Sequence, residues 1–509
     1  MKGNEFRNQT QTTIKNELAE WSDNSNNSQV DYASNAPSGD HVLVDWDGPN
    51  DPKNPKNWPH SAFLIHTILV SMLCLAGNLA TTMYAPGAAQ LAVEFKTRDT
   101  TTIALTVSIY LLGFALAPMV TSPLSEVYGR LIVYHTSNIF FLGFNLACAF
   151  SSNIGMFIAF RFLAGCAGSA PMTVGGGTIA DFAASPEKNN TALRLFALGP
   201  LLGPVIGPIV GGFVAENIGW RWTFRIMSIV IAVLSILSCI FLRETSAAAI
   251  LGRRGARITK ETGKPFMIPG PMPGMPPKPQ QPTKEIVSRS LVRPMKMLIF
   301  LPQVLILSFY TAFVFGLIYL LFTTFPAVFE GQYGFSPGVS GLSYIGIGFG
   351  MVGALFLFNF INMKMSNRTD KHGQLIPESY LPLMTWFSPL LPIGFFWYGW
   401  SADKQTHWVV PILGTFFVGF GSFAIIMPTT AYLVYAQGPQ GAASVLAASN
   451  MMRYVFAAFL PLAGQNMYDQ LGLGWGNSLL GFLCVVLAPV PAIFQKYGHY
   501  LRERFPTEF

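Results

Sequence analysis

Charged residues are scarce in this sequence of 509 residues. Lys, Arg, Asp and Glu together make up 11% of it, where soluble globular chains carry roughly 25%. Hydrophobic residues account for 51%. A soluble protein of this size cannot cover its surface with so few charges. The composition therefore excludes a soluble enzyme, a disordered scaffold and a collagen-like chain, and it leaves a polytopic membrane protein.

Cysteine is also rare, and the five cysteines all fall in apolar stretches. Their spacing fits no metal site, and we expect neither a disulfide nor a cofactor. A membrane enzyme needs clustered His, Cys or acidic ligands, but the seven histidines are scattered and only His66 lies clearly inside an apolar stretch. The sequence therefore predicts no catalytic residue and no metal ligand.

The charge-free stretches are continuous apolar runs, and a helix needs about 20 such residues to cross a bilayer. They do not alternate apolar with polar residues as the strands of a membrane β-barrel do, so we expect helices. Twelve spans are predicted, at residues 60–83, 100–120, 131–151, 154–181, 191–215, 220–243, 299–328, 337–361, 378–400, 408–434, 441–466 and 474–497.

The spans group as six and six around a long linker. The sequence predicts an N-terminal tail that is mostly disordered, a first six-helix bundle, a linker with eight prolines between Pro265 and Pro282, a second six-helix bundle and a C-terminal tail. The limits of these regions are 1–59, 60–243, 244–298, 299–497 and 498–509. This pattern predicts an all-α polytopic membrane protein. It is typical of transporters that bind substrate between two bundles, with a channel or a membrane enzyme as the alternatives.

Lys and Arg are unevenly divided between the two sides of the predicted membrane. With both termini in the cytoplasm, 25 of the 32 lie on the cytoplasmic side and five on the outer side, as the positive-inside rule requires. The net charge of +7 then reflects loops beside anionic lipid, and we expect no nucleic-acid partner.

The connection between predicted spans 2 and 3 combines charge with a tight turn. It reads Ser-Pro-Leu-Ser-Glu-Val-Tyr-Gly-Arg over residues 122–130. Glu126 and Arg130 lie at helix ends on either side of Gly129, where they can pair with each other and with helix dipoles. This pattern predicts a conformational latch at the cytoplasmic mouth, and an ordinary charged loop is the alternative.

Apart from arginines within about five residues of a span end, two arginines fall inside predicted spans, Arg161 in span 4 and Arg453 in span 11. A charge at this depth is costly in lipid and normally faces the bundle interior or a cavity. For Arg161 the alternative is snorkelling to the outer headgroups. Arg453 follows Asn450 by three residues, and it either meets an anionic group or satisfies helix-end carbonyls.

Predicted span 5 carries glycines four residues apart, at 199, 203, 207 and 211. They lie on one helical face and permit close contact with a second helix. Prolines at 200, 204 and 208 form an adjoining stripe, and each removes a helix hydrogen bond. A small-residue stripe alone predicts static packing, but three prolines at the same period favour a kinked or flexible gate.

Together these segments resemble the signature motifs of the major facilitator superfamily. Residues 122–130 resemble its motif A, residues 161–181 its motif B and residues 199–212 its antiporter motif C. Residues 54–59, 220–222 and 450–454 are similar to the fungal twelve-span drug:proton antiporters.

The resemblance implies the major facilitator fold, alternating access, and export of a small hydrophobic molecule in exchange for protons, by a monomer in the plasma membrane. It assigns the latch to Glu126, Gly129 and Arg130, proton coupling to Arg161 and Asp181, and the antiporter motif to Gly199, Pro200, Gly203, Gly207 and Pro208. Two departures weaken the match, because Leu131 follows Arg130 where a second basic residue is usual, and Ser122 stands where glycine is common.

No Asp or Glu lies deep within a predicted span, so the proton carrier is not identified, with Asp181 and Glu126 as the candidates. Proton-coupled carriers need a titratable group whose state changes with conformation. The candidate residues of the substrate cavity are Asn78, Tyr110, Tyr310, Tyr319, Asn450 and Arg453. Aromatic walls with isolated hydrogen-bonding groups suit amphipathic organic molecules such as a drug, a toxin or a fungal secondary metabolite. An uptake symporter for a small organic nutrient is the alternative function.

Overall fold

The computed structural model describes residues 42–268, 283–365 and 377–504. Most of the expected N-terminal tail, nearly all of the proline-rich segment of the linker and the end of the C-terminal tail lie outside these ranges. The chain divides into two compact units. Among the described residues, unit 1 comprises 42–45 and 252–268, and unit 2 comprises the rest.

Unit 1 contains a short parallel strand pair. Strand β1, Val42–Leu43, pairs with strand β2, Phe266–Met267, with Val42 opposite Phe266. Most of the helix Ala247–Thr262 also belongs to this unit. The sequence did not predict the strands, because two residues are too few to show the alternation that identifies a strand.

Unit 2 is built of long apolar helices, numbered here as spans in chain order. Its N-terminal half contains span 1 (His60–Thr82, continued by Ala88–Glu94), span 2 (Thr100–Leu116 and Pro118–Tyr128), span 3 (Arg130–Ala149), span 4 (Ile154–Gly168 and Ala170–Phe182), span 5 (Pro186–Ile218) and span 6 (Arg221–Phe241).

The helix Thr283–Phe300 precedes the C-terminal half. This half contains span 7 (Pro302–Gly331), span 8 (Pro337–Leu342 and Tyr344–Met365), span 9 (Leu381–Phe387 and Leu390–Asp403), spans 10 and 11 (both in Val409–Phe459) and span 12 (in Gly464–Leu487, continued by Val490–Arg504).

By length and hydropathy, nine helices within the described residues can cross a membrane, or ten when the two helices of span 2, bent by 41°, count as one. One of the nine is the 62-residue segment Gly441–Arg502, which holds spans 11 and 12 because a single span needs about 20 residues. Span 9 adds one more as two shorter helices. The predicted all-α fold with twelve spans is therefore confirmed.

Four glycines with positive φ separate consecutive helices: Gly129 (102°), Gly219 (90°), Gly438 (64°) and Gly472 (73°). Glycine adopts this conformation without the steric cost that a Cβ imposes. Gly438 ends span 10 and Gly472 ends span 11, so the connections after spans 2, 5, 10 and 11 are tight turns. Side-chain caps begin other spans, as where the Asp99 carboxylate accepts from the backbone N–H of Thr102 at 3.1 Å.

Two helix pairs make large contacts between the two halves of unit 2. Span 2 packs against span 11, and span 5 packs against span 8. Large apolar side chains cover the outside of the helices, among them Ile236 and Ile240 of span 6, Phe356 of span 8 and Val486 of span 12, which are 60%, 66%, 71% and 73% exposed. Such rows of exposed apolar side chains fit a bilayer. The domain limits 60–243 and 299–497 stay predictions.

Candidate functional site between the helix halves

Arg130 is the centre of a hydrogen-bonded cluster at the inner end, our name for the end of the spans at which residues 122–130 lie. Its Nε lies 3.1 Å from Oδ2 of Asp181 at the end of span 4, and its Nη1 donates to Ser125 Oγ at 2.6 Å. The Thr245 hydroxyl also donates to Asp181 Oδ2, at 3.4 Å. The cluster joins spans 2, 3 and 4 to the segment after span 6, all within the N-terminal half.

The carboxylate of Glu244 also belongs to this cluster, and it bonds the backbone at the turn between spans 2 and 3. Its Oε1 accepts from the backbone N–H of Arg130 at 2.9 Å and from those of Thr245 and Ser246 at 3.0 Å each. An acidic group is favoured here because span 3 begins at Arg130 and its dipole is positive at that end. A Cβ on Gly129 would collide with the Glu244 carboxylate, so the turn needs glycine for space as well as for its φ.

Glu126 lies apart from this cluster. Its side chain is exposed, and no ion pair of Glu126 occurs within the described ranges of the chain. The Glu126–Arg130 pair that the sequence suggested is therefore absent there, and Arg130 pairs with Asp181 instead. The helix Pro118–Tyr128 does pack against Thr283–Phe300, the helix that precedes span 7. The latch role of Glu126, Gly129 and Arg130 stays a prediction.

Arg161 is fully buried inside the N-terminal half, with no exposed surface. Its guanidinium donates to four backbone carbonyls of spans 1 and 2: Ala80 at 3.0 Å, Thr81 at 3.2 Å, Thr106 at 3.3 Å and Val107 at 3.4 Å. It also lies 4.6 Å from the centre of the Tyr110 ring, as in a cation–π contact. Arg161 thus points into the bundle and does not snorkel to the surface. The dipoles of the four backbone carbonyls stabilise its positive charge.

The glycine stripe of span 5 lies directly on span 1. A Cβ on each of these glycines would come within 3.0 Å of span 1: Gly199 at Leu75, Gly203 at Asn78, Gly207 at Leu79 and Thr82, and Gly211 at Met83. The Thr82 hydroxyl donates to the carbonyl of Pro204 at 3.0 Å, an oxygen that Pro208 cannot bond because proline has no N–H. The stripe therefore sets the distance between the two helices.

The other side of span 5 meets span 8 of the C-terminal half. A Cβ on Gly212 would collide with the carbonyl of Pro337, and one on Gly341 with the carbonyl of Pro208. Towards the outer end, opposite the inner end, Glu216 Oε2 accepts from the Ser336 hydroxyl at 2.8 Å and from the Gly338 N–H at 2.9 Å. Span 5 thus touches both halves, and Pro200 lies beside the same stripe.

An aromatic cluster joins the halves near the middle of the spans. Ring centres are 5.2 Å apart for Tyr110 and Phe114, 5.4 Å for Phe114 and Tyr454, 5.5 Å for Tyr454 and Phe315, and 5.1 Å for Phe315 and Tyr319. These residues come from spans 2, 7 and 11. Two of the cavity candidates, Tyr110 and Tyr319, are members of this cluster.

The remaining aromatic and amide candidates are placed differently. Asn78 is buried, donates to the Cys74 carbonyl of its own helix at 2.9 Å and packs on Gly203. Tyr310 is buried within the C-terminal half. Tyr110 donates to the Gly77 carbonyl at 2.9 Å. The Tyr319 hydroxyl reaches Thr81 of span 1 at 3.5 Å, so Tyr319 alone of these four bonds across the two halves.

Arg453 and Asn450 lie together on span 11. The Arg453 Nη2 donates to Asn450 Oδ1, and the guanidinium carbon lies 5.9 Å from the centre of the Phe315 ring. The Arg453 Nε is buried and has no hydrogen-bond partner among the described residues. The helix-end carbonyls that the sequence suggested as partners do not bond it in that portion of the chain. Arg453 is therefore an under-bonded cation beside the aromatic cluster.

A cavity of about 520 Å³ opens between the halves on the outer side. Spans 1, 2, 7 and 11 line it, mostly with small and apolar residues, and Glu330 is the one charged side chain among those that line it. Val107 lines the cavity and its carbonyl accepts from Arg161, so the bottom of the cavity lies close to that arginine.

Hydrogen bonds cross between the halves at the rim of this cavity. The Thr100 hydroxyl donates to Asn466 Oδ1 at 3.1 Å, and Asn466 Nδ2 donates to the Thr101 hydroxyl at 3.2 Å. They join span 2 to the end of span 11. The Glu216 contacts with span 8 form a second bridge of this kind, so the halves are held together at the outer end by polar side chains.

Sequence reasoning did not predict where three acidic side chains lie in the structure. Glu216 and Glu330 lie near the ends of predicted spans, and Glu244 lies at the start of the predicted linker, so the sequence gives none of them a role. Their partners are more than 100 residues away for Glu216 and Glu244, a pairing that a single sequence does not reveal. For Glu330 the sequence does offer a signal, because Glu330 is the only acidic residue in or directly beside predicted span 7.

The family model described as Major Facilitator Superfamily matches residues 68–461. This is well over half of the chain and includes the segments that resemble motifs A, B and C. The chain belongs to the major facilitator superfamily. The resemblance in the sequence is therefore confirmed at the level of the family.

Curated relatives match nearly the whole chain. It is 50% identical over 469 residues to MFS transporter fsa7 of Fusarium sp. (strain FN080326), covering 92% of this chain and 91% of that protein. It is 46% identical over 466 residues to the Trichosetin biosynthesis cluster MFS transporter of Gibberella fujikuroi, covering 92% and 90%. A multi-pass membrane transporter of small molecules, and not an enzyme, follows from this membership.

Solved structures agree on the fold. The xylose transporter XylE from E. coli superposes with a TM-score of 0.63 at 16% sequence identity, covering 86% of this chain and 98% of that one. At this identity the match concerns the arrangement of the helices alone.

Proposed function

We propose that this transporter exports hydrophobic or amphipathic organic molecules, such as a drug, a toxin or a fungal secondary metabolite, in exchange for protons. Alternating access between the two halves moves the substrate. The proposal includes a monomer in the plasma membrane with both termini in the cytoplasm, as the distribution of Lys and Arg favours.

The observation that carries this proposal is the position of span 5. Its glycine stripe packs on span 1, and its opposite side meets span 8 across the boundary between the halves. A helix so placed changes its contacts whenever the halves rock against each other. The resemblance of residues 199–212 to the antiporter motif therefore concerns a segment at the moving interface, which supports exchange and outward transport over uptake.

The lining of the interface supports an amphipathic organic substrate. The aromatic cluster offers ring faces from spans 2, 7 and 11, and the cavity above it is lined mainly by apolar side chains. Sugar sites need many hydrogen-bonding groups to replace water, and few are present here. One relative is named for the Trichosetin biosynthesis cluster, which supports export of a metabolite of the same broad kind.

Exchange with protons needs an acid that water reaches on one side at a time. Asp181 lies in the inner cluster on Arg130, and Glu330 lies in the outer cavity. Arg161 holds the helices between them through four carbonyls. We assign proton binding to these acids and a positioning role to Arg161, which has no proton to give at neutral pH.

The test is accumulation of lipophilic acids, bases and neutral compounds in yeast that lacks its own exporters. Cells with the wild-type protein should accumulate less of at least one compound than cells without it. A protonophore, or Arg161→Ala at equal surface expression, should abolish the difference. Arg225→Gln removes a cation that lies 5.0 Å from the centre of the Trp222 ring in span 6, and it serves as the control.

The outcomes separate the candidates. Equal accumulation at confirmed surface expression, for every compound, would refute export of this broad class. Higher accumulation with the wild-type protein would establish the uptake symporter. Export that survives the protonophore would refute exchange with protons and leave export itself standing.

A further inference from the structure

Two arginines contact the aromatic cluster: Arg161, which is fully buried, at Tyr110, and Arg453, which is partly buried, at Phe315. The guanidinium of Arg161 has four carbonyl acceptors at 3.0–3.4 Å. The guanidinium of Arg453 has the side chain of Asn450 and an aromatic ring. A guanidinium carries five N–H donors, so Arg453 is left with donors to spare.

Arg453 has few hydrogen-bond partners at a depth in the membrane where an unpartnered cation is energetically unfavourable. Arg453 lies about midway between Gly438 and Gly472, the two glycines that end spans 10 and 11, and hence near the middle of the membrane. Its Nε is buried without a partner among the described residues. A buried N–H without an acceptor is unfavourable, and arginines kept at this depth normally serve a substrate path or a counter-ion.

No carboxylate of the described residues forms an ion pair with Arg453. Asp181 is held by Arg130 within the N-terminal half at the inner end, and Glu330 lies in the outer cavity. The middle of the interface is therefore positive. This positive charge disfavours the binding of an organic cation and favours the binding of an anion.

We propose that the transported molecule is an amphipathic organic acid and that Arg453 binds its carboxylate. The free donors of Arg453 bond the anion, and the apolar body of the molecule lies on the rings of Phe315, Tyr454 and Phe114. A carboxylate accepts two parallel bonds from a guanidinium, a geometry that lysine cannot offer. This inference rests on the proposed transport of an amphipathic molecule and adds its charge.

The test compares two probes that differ in charge and are close in shape, 1-naphthaleneacetate and 2-(1-naphthyl)ethanol. Equilibrium binding of each is measured with the full-length protein in lipid nanodiscs. Wild type should bind the acetate more tightly. Arg453→Gln should weaken acetate binding by about tenfold or more, because the charge-assisted hydrogen bonds to the carboxylate are lost. Binding of the alcohol should stay within about twofold.

Two further variants make the result specific. Arg453→Lys keeps the charge and should retain some of the preference for the acetate. Arg225→Gln removes a cation away from the interface and should change neither affinity. The melting temperature of each variant shows that it is folded.

Each other result contradicts the inference. No preference of the wild type for the acetate, or binding of neither probe, would overturn it. So would equal losses for both probes in Arg453→Gln, or the same loss in Arg225→Gln. The measurement needs no transport, so inward movement of the acetate in cells would refute the proposed export and leave the Arg453 site standing.

Discussion

The Arg130 guanidinium and the Asp181 carboxylate form an ion pair at 3.1 Å, and both residues belong to the N-terminal half of the transporter. The pair therefore stabilises one half and does not itself bridge the two. The pair and the Ser125 hydrogen bond hold the helix Pro118–Tyr128 in place, and this helix contacts the helix Thr283–Phe300 that leads into the C-terminal half.

Removing this ion pair should lower both the stability of the N-terminal half and the transport activity of the protein. Asp181→Asn leaves Arg130 without its counter-charge, and because both side chains are partly exposed we expect a loss of about 1–3 kcal/mol. Thermal unfolding and accumulation assays measure the two effects. The double exchange Arg130→Asp with Asp181→Arg should recover some of both. If the single variant transports normally, the cluster has no role in the cycle.

Replacing a glycine of the span 5 stripe by alanine should prevent span 5 from packing closely on span 1. Gly211→Ala would place its Cβ against the Met83 carbonyl, and overpacking of this kind costs about 1–3 kcal/mol. We expect transport to fall strongly while the protein still reaches the membrane. Gly143→Ala is the matched control, because nothing lies within 4 Å of a Cβ at that exposed position of span 3. Equal activity of the two variants would contradict a role for the stripe.

The bridge at the outer rim should open during transport. Cysteines introduced together at Thr100 and Asn466, with Cys239→Ser to remove the exposed native thiol, can be joined by a short bifunctional thiol reagent. Cross-linking should stop transport, because the hydrogen-bonded positions can then no longer separate, and reduction should restore it. Each single cysteine variant treated with the reagent is the control. Full transport by the cross-linked protein would show that this rim stays closed.

Glu330 should carry protons from the outer cavity. Glu330→Gln keeps the shape of the side chain and removes its titration, so transport in vesicles should no longer respond to an imposed pH gradient. Exchange of labelled for unlabelled substrate, which needs no net proton movement, should continue. Glu187→Gln, at an exposed position near the start of span 5, should leave both activities unchanged. A normal response to the gradient in Glu330→Gln would assign the proton to another group.

The helical spans and the family could be predicted because both depend on local sequence. Runs without charge identify a membrane helix wherever they occur, and the motifs at 122–130 and 199–212 are contiguous. Glycines at a period of four residues predicted that span 5 packs closely on another helix, and the structure shows span 1 in that place.

Partners that are distant in sequence could not be predicted in the same way. The sequence suggested Glu126 for Arg130 because the two are close in the chain, but the ion pair is formed with Asp181, 51 positions away. Glu244 reaches the same turn from 114 positions away. Such pairs depend on how the spans pack, and neither periodicity nor composition carries that information.

The four turns at Gly129, Gly219, Gly438 and Gly472 leave almost no loop between consecutive spans. An epitope tag, a protease site or a fluorescent protein inserted there would have to push apart helices that are joined by only one or two residues. Antibodies raised against these connections would find little peptide to bind. Reporters of topology and handles for purification therefore belong elsewhere in this chain, such as the stretch between Asp403 and Val409 on the outer side.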